Sequence, residues 1–231
     1  MERARIKVGA VYRWPHDDRP NRVLIHDADA DVVMCDGWRP HLDGWGLANL
    51  RQVRMQRNNF YPAPVSTVME KATYLRTEPL TDDEVAMFRP DLPFAVMQCA
   101  AMQWPAEVPP TVSDLVERWR AASGVEARSG VALNASEIYL YPFGPKGGQK
   151  AGVRVKADSG TAFTPEELLG KAAILQAPHV GDVLPTQGVG LYRAGLHRGI
   201  PGYYLWGGDS KMHEHIADFE RRQSRKGDAA P

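Results

Sequence analysis

At 231 residues the chain can form one large domain or two small ones, each able to bury a core. Apolar residues at 43% and charged residues at 24% are globular proportions, and no window approaches the ~18 consecutive apolar residues of a membrane span. A formal net charge of zero excludes a global field toward polyanions, and two cysteines, Cys35 and Cys99, are too few for a disulfide scaffold.

The N-terminus, MERARIKVGAVY, lacks the apolar run of a secretory signal, so a cytoplasmic location is expected. The excess of arginine over lysine suits a GC-rich bacterial genome. Residues 5–14 alternate apolar and polar side chains and predict a strand. Two further strands are expected in RVLIH and DVVMCDGW, joined by the aspartates of HDADAD. A calcium loop starting at Asp27 would need Gly at its sixth position and Glu at its twelfth; Val32 and Trp38 stand there instead. Alternate aspartates then read as a hairpin tip, each able to hydrogen-bond nearby backbone. WGLANLRQVRM continues the rhythm of short strands at residues 45–55.

Tyr12, Trp14, Trp38, Trp45 and Tyr61 crowd this region, several at expected strand ends. With the strand rhythm, they give residues 1–62 a form that resembles the Tudor-like class of small β-barrels. That resemblance implies rings gathered at one rim to hold a cation or a base, with about 0.5–2 kcal/mol per cation contact. The competing expectation is that the rings fill a small core.

A helical connector is expected over residues 63–108. PVSTVMEKATYL reads as a short helix, and PLTDDEVAMFRPDLP carries a capping box, Thr81 with Glu84, ended by Pro90. PFAVMQCAAMQW is rich in helix formers and predicts a buried helix. The proline-rich stretch 104–111 marks the expected boundary to an α+β domain at 109–226. There, Thr111 or Ser113 should cap a helix with Val112, Leu115, Val116 and Trp119 on one stripe, stopped by Gly124. VALNASEIYLYPF and AGVRVKA read as strands, and FTPEELLGKAA as a helix with Thr164 as N-cap, Pro165 at its first position and Glu167 closing the box. AAILQAP, GVGLYRAGL and GYYLW are expected strands. Residues 209–226 form an expected amphipathic C-terminal helix with Met212, Ile216 and Phe219 on one side, and 227–231 a disordered tail. The fold class is therefore α+β: small barrel, helical middle, mixed C-terminal domain.

Charge is uneven along the chain. Residues 77–117 hold eight acids against Arg89 alone, a local charge of −7, and residues 118–156 a local charge of +5. The glycine-rich loop YPFGPKGGQK lacks the Gly-Lys-Ser/Thr of a phosphate loop, but its Lys146 and Lys150, with Arg154 beyond, are candidate contacts for an acidic partner. Arg193, Arg198 and Tyr203, among glycines, are further binding candidates, and His197 is the one catalytic candidate. No G-x-S-x-G elbow is present. His213 and His215 are two apart, on opposite sides of a helix, so neither a metal nor a cofactor is expected.

These features favour a non-enzymatic binding or adaptor protein that engages protein or nucleic acid through the aromatic rim and the basic loop, with no membrane involvement. The alternatives are an enzyme on a phosphate-bearing or nucleic-acid substrate using His197 and its neighbouring arginines, and an inhibitory protein whose acidic segment 77–117 mimics nucleic acid. Oligomeric state is left open.

Overall fold

A computed structural model of the chain describes residues 5–15, 17–46, 57–107, 111–123, 132–143, 149–180 and 187–205. It is mixed α+β: four helices and two sheets among the described residues. None of those helices is long and apolar enough to cross a membrane. Two compact units divide them, one of residues 5–94 with Gly195–Gly199, the other of Ala95–Ala194 with 200–205.

The first unit is built on strands β1 (Ala10–Trp14), β2 (Asp17–Asp27), β3 (Val32–Arg39), β4 (Gly44–Trp45), β5 (Arg57–Asn59), β6 (Tyr61–Pro64) and β7 (Thr73–Thr77), with helices α1 (Val65–Lys71) and α2 (Asp82–Phe88). Its main sheet runs β4-β3-β2-β1-β7, with β6 also paired to β3. This path does not close, so the sheet is open rather than the expected Tudor-like barrel. The β2–β3 hairpin is the one read from HDADAD. Asp27 Oδ1 accepts the N–H groups of Asp29 at 3.1 Å and Ala30 at 2.9 Å, which folds the chain back. Its other oxygen accepts the Phe94 N–H at 2.7 Å, so this aspartate also anchors the end of the unit. Val23, Val33, Val65 and Val68 form the core with Tyr12 and Trp14. Burying each such aliphatic side chain contributes about 1.5–3 kcal/mol.

Residues 63–108 are not a helical connector. They contain β7 and two seven-residue helices that belong to the first unit, and then strand β8 (Ala95–Gln103) of the second. The unit boundary falls at Phe94 and Ala95, ahead of the proline-rich 104–111. The expected capping box is present: Glu84 N–H bonds Thr81 Oγ1 at 3.2 Å, and Thr81 N–H bonds Glu84 Oε2 at 2.9 Å. PFAVMQCAAMQW forms β8, not a helix, because pairing with a long partner strand overrides the helix propensity of Ala, Met and Gln.

The second unit continues with α3 (Val112–Ser123), β9 (Glu137–Tyr141), β10 (Val153–Lys156), α4 (Pro165–Gln176), β11 (Gln187–His197, whose last three residues count with the first unit) and β12 (Ile200–Tyr204). Its strands lie in the order β10-β9-β12-β11, with β8 also on β11. α3 is capped by Thr111, whose Oγ1 accepts from Asp114, and it buries Leu115, Val116 and Trp119; Val112 is partly exposed. α4 is capped by Thr164 as expected, but it runs through AAILQ to Gln176, so the strand expected there is helix. Gly170 faces Val112 so closely that a Cβ would come within 2.9 Å of its Cγ1. The expected C-terminal helix, the tail, Gly124 and most of the 45–55 strand lie outside the described residues.

Candidate functional site

The aromatic residues of the first unit are committed to its interior. Tyr12, Trp14 and Trp45 are 2%, 6% and 5% exposed, so the expected rim of solvent-facing rings is not formed. Tyr12 and Trp14, two apart on β1, share its core face and meet edge-on at 5.3 Å. The Tyr12 hydroxyl sits 3.0 Å from Cys35 Sγ. Burial pushes the Cys35 thiol up to about 12; the Tyr12 bond opposes that rise and the Asp36 charge adds to it. Trp38 is half-buried and packs edge-on against Trp45 at 5.3 Å; the Tyr61 side chain lies outside the described residues.

Trp45 belongs to a polar cluster that nothing in the sequence pattern signals. Arg22, in the middle of β2, is buried, and its Nη2 meets Glu84 Oε1 at 2.5 Å. Its guanidinium lies over the Trp45 ring at 4.8 Å, and Trp45 Nε1–H donates to Glu78 Oε1 at 2.5 Å. Partial burial would raise the Glu78 carboxyl, but the Trp45 and Arg76 hydrogen bonds and the charges of Arg76 and Arg22 outweigh it and hold it below its ordinary range. Glu84 therefore caps α2 and neutralises Arg22 at once. Arg22, Trp45 and Glu84 are buried, and Glu78 closes the cluster at the surface, so this is structural chemistry.

The C-terminal candidates separate. Arg193 is fully buried, with its guanidinium 5.4 Å from the centre of the equally buried Tyr203 ring and Nη1 at 3.5 Å from that hydroxyl. His197 ends β11 in register with Arg57 of β5. Arg198 is exposed in the tight turn to β12, where it and Gly199 both have positive φ (53° and 79°), as a two-residue hairpin turn demands. It lines a shallow cleft of about 320 Å³ with Asp83, Ala86, Met87 and Gly199. Arg193 and Arg198 thus do not form one solvent-facing cluster around His197. Among the described residues, no group of three His, Cys, Asp or Glu side chains could hold a metal ion.

Two basic side chains of β10 share one face. Lys150 and Arg154 are exposed, as is Lys156; Lys146 lies outside the described residues. On β9 the fully buried Ile138 and Leu140 stand in register with Val155 and Val153 of β10. Arg154 and Lys156 consequently share the opposite face with Glu137 and Tyr139. Arg154 Nε donates to Glu137 Oε2 at 2.8 Å, and Nη2 bonds the same oxygen. Lys150 and Lys156 have no acidic partner among the described residues. Among the described residues β10 is also a sheet edge, with β9 as its neighbour on one side. The Ala157 N–H bonds Ser136 C=O at 2.8 Å, which fixes the alternation: Val153 and Val155 direct their backbone groups to β9, and Arg154 and Lys156 direct theirs outward. Lys171 Nζ confirms the direction by bonding the Lys156 C=O at 2.5 Å while also pairing with Asp158 and Glu167.

No protein-family model matches the chain, and no curated protein or solved structure matches it either.

Proposed function

We propose that this chain is a non-enzymatic binding or adaptor protein that engages an acidic partner protein through the basic edge of its second unit. The observation that carries the reading is the row Lys150, Arg154 and Lys156: three exposed cations along β10 and its approach, two of them without an acidic partner among the described residues. With Tyr12, Trp14 and Trp45 buried, those three rings offer no stacking surface, and the contact proposed here is one of charge. The enzymatic alternative has less support, because Arg193 is enclosed beside Tyr203. Two lysines of this edge without an acidic partner among the described residues are also few for a nucleic-acid groove, whose affinity grows with each phosphate neutralised.

Fluorescence anisotropy with a labelled glutamate octapeptide tests this. Binding should weaken about tenfold in a Lys150→Glu/Lys156→Glu variant and fall between about 50 and 200 mM salt, where screening shortens the reach of each charge. Absence of peptide binding at about 50 mM salt, or tighter binding of single-stranded DNA of equal charge, overturns the reading.

A further inference from the structure

A sheet edge offers a row of N–H and C=O groups that an added strand can pair with, and natural edges are ordinarily shortened, bulged or charged to prevent it. β10 is four residues long and carries Arg154 and Lys156, so it is guarded by charge against neutral and basic strands but not against an acidic one. It runs in clean register along β9, without a bulge over Val153–Lys156. Its outward groups are the N–H and C=O of Arg154 and the N–H of Lys156, while Lys171 occupies the Lys156 carbonyl and ends the ladder. On its other face Val153 is 40% exposed, a partly covered apolar position beside the free edge.

We propose that β10 receives an extended acidic peptide as an added strand; this rests on the acidic-partner reading and gives it a geometry. The peptide residue that exchanges both backbone bonds with Arg154 has its side chain on the Arg154 face, so that residue and those two removed from it carry carboxylates toward Arg154 and Lys156. The residues between them lie on the Val153 face and are apolar or β-branched. Recognition is therefore of an alternating pattern, acid on one side and β-branched on the other. A second copy of this strand is excluded as occupant, because it would set Arg154 and Lys156 against their own counterparts. Nucleic acid has no backbone ladder to offer.

An octapeptide alternating glutamate and threonine, with both ends blocked, is compared with two analogues of identical charge. One is N-methylated at the glutamates, the other at the threonines. Strand addition predicts at least about tenfold weaker binding for the glutamate-methylated analogue alone, since only those N–H groups face β10. It also predicts about tenfold slower hydrogen exchange at the Arg154 and Lys156 amides in the complex with the unmodified peptide. Equal binding by all three peptides, with those amides unprotected, leaves the charge-based reading standing and overturns strand addition. Binding by none overturns both.

Discussion

Arg22 shows how one side chain can be costly alone and stabilising in company. A guanidinium taken out of water loses several kcal/mol of hydration, recovered here by Glu84, the Trp45 face and the more distant Glu78 at 3.7 Å. Removing one partner leaves the other charge stranded, so Arg22→Met and Glu84→Gln should each cost about 3–5 kcal/mol, Glu84→Gln retaining much of the α2 cap. An Arg22→Met/Glu84→Gln double variant should recover part of that loss. Urea denaturation of the four proteins measures it; strictly additive losses would sink the account. At Cys35 the folded thiol is held near 12 against an ordinary 9.0, while the unfolded thiol ionises freely. The stability this contributes is complete below pH 9.0 and is lost as the pH climbs toward 12, the signature of a raised acid. Native protein should therefore leave Cys35 unreactive to a thiol reagent at pH 8 to 9, and a Cys35→Ala variant should show a shallower alkaline decline in melting temperature than the parent. Rapid native labelling would contradict the burial. Neither the Arg22 cluster nor the Tyr12–Cys35 contact was legible in the sequence, because both join residues more than twenty positions apart.

Local chemistry was legible where an element carries its own signal. Thr81 with Glu84, Thr164 with Glu167, and the aspartate turn at 27–31 each satisfy backbone groups within four residues, so spacing suffices to find them. β8 and the end of α4 were not legible. Ala and Met fit either conformation, and the partner that decides for β8 lies about ninety residues further along the chain in β11. The basic candidates Lys150 and Arg154 could be named from composition, but not the edge position that makes β10 distinctive. Packing across strands supplies the next test. Tyr141 on β9 lies against Gly152 and Gly202, where an added Cβ would come within 2.3 Å and 2.9 Å of its ring carbons. Gly152→Ala forces that ring to move, along with its neighbour Tyr204 at 5.6 Å, and should cost about 1–3 kcal/mol. In a Tyr141→Leu background the same substitution should cost much less, as measured by thermal unfolding of the four proteins. Equal costs in both backgrounds would show that the ring is not the obstacle.

At the scale of the molecule, the α+β composition was within reach of the sequence, but which segments share a unit was not. The aromatic density of residues 1–62 suggested a closed barrel able to stand alone. Instead the open sheet there draws α1, β7 and α2 into its unit, and β5 takes Gly195–His197 as its partner. No composition shift marks such a boundary, since it is set by which strands pair. The unit that owns residues 5–94 is completed by a short segment that returns after the whole of 95–194. During synthesis this has a temporal meaning. A ribosome adding roughly 5–20 residues per second makes the second unit's hundred residues in about 5–20 s. For that interval the nascent first unit waits with Arg57–Asn59 unmatched, so its assembly is timed by the translation of the other.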